Sequence, residues 1–105
     1  MAWYLDGRVQ ALWGTHTHVP TADTQVLPKG LGFVSDLGMT GVEDSVLGVR
    51  KDIIVDFYYQ SGKRFRFEKA AGEVFFHGCI FDVDPLSKKT NAVERLRFSS
   101  NQLPF

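Results

Sequence analysis

The sequence predicts an α/β fold, mainly antiparallel β with one central helical segment. Three patterns carry that reading. Residues 64–68 and 92–98 alternate apolar and charged side chains, the period of half-buried strands, around an apolar run at 73–83. Pro28-Lys29-Gly30 separates two short β-prone runs and reads as a hairpin turn, proline presetting φ and glycine supplying φ > 0. Val46, Val49, Ile53 and Phe57, with Leu47, Ile54 and Tyr58, fall at helical spacing. The same stretch admits a strand through Ile53–Tyr59, which is β-branched and aromatic.

In chain order, residues 1–6 form a short apolar start that ends at Gly7, and residues 8–13 suit a buried strand. Strand candidates at 24–27 and 31–35 flank the turn. Asp36–Gly41 is a loop with two glycines. Asp44 or Ser45 offers an N-cap for the helical reading, which Ser61-Gly62 would end. Residues 73–83, apolar on both parities, suit an inner strand covered on two faces. Asp84–Lys89 is a polar turn, and the runs at 64–68, 73–83 and 92–98 are expected to form an antiparallel meander.

Composition bounds the function. The chain has 105 residues, 44% apolar and 13% aromatic, which is a globular composition and one domain's worth (1–105). Twelve basic residues balance twelve acidic ones, so no DNA-binding tract or polybasic membrane patch is present. The opening residues carry no signal-peptide pattern and no stretch approaches a membrane span. Cys79 is the single cysteine, which fits a reducing, cytoplasmic setting.

Chemistry concentrates in Gly14-Thr15-His16-Thr17-His18, which follows the first strand run. Imidazole is the commonest side-chain metal ligand near neutral pH and suits zinc, manganese and iron. Strand alternation would aim His16 and His18 the same way, to share one ion or to hold one each. A bare His-x-His is also compatible with a hydrogen-bonded loop pair. Asp23 and Asp36 are candidate orienting carboxylates, and Thr15 and Thr17 complete the site loop. Other clusters read as structure: His77 and Cys79 as packing on an apolar strand, Asp82 and Asp84 as a strand-end pair with a turn role, and Arg64 and Arg66 with Phe65 and Phe67 as an amphipathic strand.

A set of motifs in order then resembles one family. These are Trp3–Val9, Gly14–Val19, Thr21-Ala22-Asp23, Leu27-Pro28, Asp36–Gly41, Ser45–Val49, Gly72-Glu73-Val74, Asp82–Pro85 and Glu94-Arg95. Together they are similar to the C-terminal portion of the YmdB-like calcineurin-like metallophosphoesterases, two-metal phosphodiesterases linked to 2′,3′-cyclic nucleotides. The resemblance implies part of a metallophosphoesterase sandwich and favours the helix over 44–60. It makes residues 1–6 the last turn of a helix capped at Gly7, as in a chain that is a fragment of a longer domain. It also implies that His16 and His18 ligate a divalent transition metal, iron or manganese best, with the remaining ligands carried by upstream motifs.

The family's Gly-Asn-His has no counterpart here, since the only asparagines are Asn91 and Asn101. Two imidazoles cannot fill two coordination spheres. A two-metal site, and turnover of a phosphodiester or cyclic nucleotide, is therefore expected only when another polypeptide complements this one. The alternative is a non-catalytic metal- or protein-binding remnant, or a module in which the histidines have no special role. Unpaired apolar faces predict a homo-oligomer. Three departures from the family pattern bear on loop geometry: Val42 where proline is usual, Leu31-Gly32-Phe33 in a normally polar stretch, and the bulky Trp13 before Gly14.

Overall fold

The computed structural model describes residues 1–60 and 64–102. The chain divides into two compact units, Met1–Met39 with His77–Arg97, and Thr40–Phe76 with Phe98–Phe105. The fold is mixed α/β, with two three-stranded sheets and few helices among the described residues.

The first unit opens with a single helical turn, α1 (Ala2–Leu5), closed at Asp6 by a backbone bond to the Ala2 carbonyl (2.9 Å). Gly7 follows at φ 84°, the left-handed conformation that ends helices and favours glycine. The expected strand at 8–13 shortens to β1 (Ala11–Trp13). It runs parallel to β3 (Gly32–Val34), which pairs antiparallel with β2 (Gln25–Val26), giving the order β1-β3-β2.

The β2–β3 connection is the expected hairpin. Leu27 and Leu31 pair through backbone (2.8 Å), Gly30 N–H reaches the Leu27 carbonyl (2.9 Å), and Gly30 takes φ 99°. Leu27, Leu31 and Val34 form the buried core of this unit. The departure at Leu31-Gly32-Phe33 is thus a core strand start. A Cβ on Gly32 would lie within 3.0 Å of Phe81, Thr90 and Val93, so glycine permits the close approach of the later strands. Bulky Trp13 packs its ring on Phe81 at 5.6 Å. Asp6, buried, reaches the turn and accepts from the N–H groups of Lys29 (3.0 Å) and Leu31 (3.2 Å).

β5 (Val74–Asp84) and β6 (Lys89–Ser99) form a long hairpin. Its turn is held by the Asp84 carboxylate, which accepts from Leu86 N–H (3.0 Å), and by the Asp84 carbonyl, which accepts from Lys88 N–H (2.8 Å). Within the first unit, Thr90 ties β6 to the residues flanking β1 and β3, through the Gln10 carbonyl (2.6 Å) and the Gly30 carbonyl (2.9 Å). The expectation that both faces of 73–83 are covered does not hold. Val74, Phe76, Ile80 and Asp82 are exposed while alternate residues turn inward. An apolar outer face hid the period.

In the second unit, β4 (Gly41–Val42) pairs antiparallel with the start of β5, and Val42 is buried. The helix expected over 44–60 is α2 (Lys51–Tyr59), nine residues. It starts late because Leu47 (φ 52°) and Gly48 (φ 90°) form a tight two-residue turn, with Val46 and Val49 exchanging backbone bonds at 2.9 and 3.0 Å. Ser45 caps that turn by accepting from Gly48 N–H (2.9 Å), and no helix N-cap bond forms. The Ser61-Gly62 stop lies outside the described residues.

Residues 64–68 are no regular strand. Their stretch borders 48–50 through isolated contacts, Arg50 N–H to the Glu68 carbonyl (3.0 Å) and a single bridge between Val49 and Lys69. Phe65 and Phe67 still share a side, both meeting Phe57 edge-on at about 6 Å. The alternation is therefore real in the side chains, but the partner is a loop. The meander reduces to β4 and the β5–β6 hairpin.

Candidate metal-binding loop

β1 stops at Trp13 because Gly14 passes against the next loop. A Cβ there would sit 2.3 Å from the Ser35 carbonyl oxygen, a backbone atom that cannot swing aside. The Gly14 carbonyl accepts from Leu37 N–H at 2.9 Å. His16, Thr17 and His18 therefore lie on a loop beyond the strand. His18 adopts φ 65°, a left-handed conformation unusual for a side-chain-bearing residue. The strand alternation expected to aim the two rings does not extend to them. Both histidines are exposed, and among the described residues neither ring is engaged in a hydrogen bond. Thr15 is likewise exposed.

The loop is held at Thr17, between the rings. Its N–H and Oγ1 both donate to Asp36 Oδ2, at 2.7 and 2.8 Å. Asp36 is 1% exposed, and its other oxygen accepts from Gly38 N–H (2.8 Å). Burial pushes the Asp36 carboxyl up. The bonds from Gly38 and Thr17, with the nearby charge of His18, outweigh burial and keep it below its ordinary range. Met39 N–H closes the loop onto the His18 carbonyl (3.1 Å). Gly38, at φ 89°, lies against Pro20.

Asp23 is engaged similarly. It accepts from Thr21 Oγ1 (2.7 Å), Ser35 N–H (3.0 Å) and Ser35 Oγ. The bonds from Ser35 and then Thr21 lower its carboxyl to about 2. Both carboxylates thus direct their oxygens to the backbone and hydroxyls of the loops that carry the histidines.

Arg95 of β6 was not singled out as a site residue by sequence, yet it anchors these loops. Its guanidinium donates to the carbonyls of Thr21 (2.7 Å), Leu37 (3.2 Å) and Asp36 (3.4 Å), and to Thr24 Oγ1 (3.3 Å). The sequence carried two hints, the Glu94-Arg95 pair among the family-like motifs and the strand parity that Arg95 shares with Val93. Nearby, burial pushes the Cys79 thiol up and Arg95 only partly offsets this, which agrees with a packing role.

Among the described residues, no group of three or more His, Cys, Asp or Glu converges to hold a metal ion. The donor set of two exposed, unbonded imidazoles fits part of a transition-metal coordination shell.

A family model described as YmdB-like protein matches residues 1–96. The chain belongs to the YmdB-like family. It is 38% identical over its whole length to a 2′,3′-cyclic-nucleotide 2′-phosphodiesterase of Bacillus subtilis, covering 39% of that protein. It is 37% identical over 93 residues to a putative phosphatase/phosphodiesterase of Mycoplasma pneumoniae, covering 33% of it. This YmdB-like chain thus spans between a third and two fifths of the length of these relatives.

Two crystal structures share its fold. A novel phosphatase from Mycoplasma pneumoniae matches 93% of this chain, with TM-score 0.85 and 34% identity, over 35% of that chain. A hypothetical protein from Thermus thermophilus also matches 93%, with TM-score 0.78 and 35% identity, over 38% of that chain. The match to the YmdB-like family takes in the histidine loop, Asp36 and Arg95. No helix among the described residues is long and apolar enough to cross a membrane.

Proposed function

We propose that this chain supplies the C-terminal part of a metal-dependent phosphodiesterase site, with His16 and His18 as ligands to a divalent transition metal and a phosphodiester of the cyclic-nucleotide class as substrate. The observation that supports it most is the pair of exposed imidazoles flanking Thr17, whose N–H and hydroxyl are fixed on Asp36. The printed activities of the relatives supply the reaction class. Iron or manganese suits this donor type. When bound, such an ion supplies Lewis acidity toward a phosphoryl oxygen and lowers the pKa of its water.

The chain's own contribution is positional. Asp36 fixes the peptide between the rings, Gly14 brings the loop against Ser35, and both imidazoles stay open to solvent. With no third ligand converging on the pair among the described residues, turnover requires donors from another polypeptide segment. The absence of a third converging ligand among the described residues also supports a second reading, in which the chain by itself binds metal without catalysis. A cytoplasmic site of action is part of the proposal and fits the single cysteine.

The test combines metal analysis with turnover. The parent chain should retain Mn²⁺ or Fe²⁺ through gel filtration, and the His16→Ala/His18→Ala variant should not. An aryl phosphodiester should be hydrolysed only when the N-terminal remainder of a relative is added. Undiminished metal in the double variant would remove the ligand assignment. Metal binding with no turnover in either condition would leave the non-catalytic reading.

A further inference from the structure

We propose that Arg95 is a positioning residue for the histidine loop: from β6 it clamps the 36–37 backbone, and that segment in turn fixes Thr17 and His18. This rests on the reading of His16 and His18 as metal ligands.

The geometry has two stages. Toward β6, one guanidinium meets three carbonyls from two loops, Thr21, Asp36 and Leu37, together with Thr24 Oγ1. Toward the histidines, the same short segment delivers four bonds. Asp36 Oδ2 takes the Thr17 N–H and hydroxyl, Leu37 N–H donates to Gly14, and Met39 N–H donates to His18. These attach on both sides of the His16–His18 pair. They are also the contacts that hold His18 at φ 65°, a conformation that costs a non-glycine residue about 1 kcal/mol or more and persists only when its surroundings over-determine it.

The planar fork of arginine suits carbonyls in two directions at once. A lysine ammonium, a point charge on a flexible stem, does not span them in the same way. Removing the fork leaves the Asp36 and Leu37 carbonyls without their half-buried cationic partner, and the segment gains freedom that Thr17 and His18 inherit. Outer residues that orient metal ligands commonly change affinity by roughly 10- to 100-fold when replaced.

The experiment compares Arg95→Met and Arg95→Lys with the parent chain, using amide hydrogen exchange without metal and Mn²⁺ titration followed by electron paramagnetic resonance. In Arg95→Met, exchange at Thr17, Gly38 and Met39 should accelerate by about tenfold or more relative to Leu27 and Thr90, whose partners Leu31 and Gly30 lie elsewhere in the same unit. Mn²⁺ affinity should fall roughly tenfold. Arg95→Lys should lie nearer to Arg95→Met than to the parent, and carries the same comparison if Arg95→Met does not fold. Uniform acceleration at all five amides would mark Arg95 as merely structural and overturn the proposal, as would unchanged exchange at Thr17 and Met39. A parent chain that binds no Mn²⁺ would count against the phosphodiesterase reading, while the exchange comparison would still decide the role of Arg95.

Discussion

Asp36→Asn isolates what the buried carboxylate does. In the parent, Oδ2 accepts two bonds from Thr17 and Oδ1 accepts one from Gly38 N–H. All three donors point at a group held ionised below its ordinary range. Asparagine offers one acceptor oxygen and one NH₂ group. If its oxygen faces Thr17, its NH₂ confronts the Gly38 N–H, donor against donor. If the amide is flipped, the Thr17 N–H is stranded. A buried donor left unsatisfied costs about 1–3 kcal/mol, and bonds to a charged acceptor contribute about 1.5–3 kcal/mol against about 1 for neutral ones. The exchange should therefore destabilise the fold by roughly 3 kcal/mol, a large share of the 5–15 kcal/mol typical of a domain, and lower Tm by roughly 10–20 °C. Urea titration at pH 7, followed by circular dichroism, measures the first quantity. The Gly38 and Thr17 amide resonances show which donor is stranded. A loss below about 1 kcal/mol with both amides still protected would refute the assignment of Asp36 as an ionised triple acceptor.

Two further outcomes follow from the same loops. Gly14→Ala places a methyl 2.3 Å from the Ser35 carbonyl oxygen; overpacking of this kind costs about 1–3 kcal/mol, so thermal denaturation should show a clear drop, and an unchanged Tm would mean the loops do not meet there. Asp23 titrates at about 2 in the fold against an ordinary 3.8, so its stabilising contribution is complete above 3.8 and is lost as pH falls toward 2. Solvent screening at this open position holds the contribution to about 1 kcal/mol or less. Asp23→Asn should flatten the pH dependence of the urea midpoint within that window, and parallel curves for the two proteins would refute it.

Much of the fold was legible where local chemistry decides it. Pro28-Lys29-Gly30 demanded a turn and formed one, since Gly30 supplies the positive φ. Asp84-Pro85 marked the end of β5 because the Asp84 side chain holds the following turn. The helix boundary was not legible. Val46, Leu47 and Val49 fit a helical stripe on paper, but apolar spacing over one turn cannot distinguish a helix from a tight Leu47-Gly48 reversal followed by a shorter helix. Residues 64–68 failed for a related reason. Alternation reports which side chains share a face, and Phe65 and Phe67 do, but it carries no information on whether a neighbouring strand exists to complete a ladder.

The site divides along the same line. Within the candidate site, His16 and His18 stand out by residue type and spacing, and Asp36 by its place in a glycine loop. What holds the loop was hidden: the left-handed turn at His18 closes through its own carbonyl onto Met39 N–H, and Arg95 grips main-chain carbonyls 58 to 74 positions away in the chain. A carbonyl has the same chemistry in every residue. A side chain that recognises carbonyls therefore leaves no matching residue type at the other end of its bonds. Loops shaped by an arginine reaching backbone will be under-read from sequence wherever they occur, and Arg95 is the residue at which that blind spot coincides with the geometry of the histidine pair.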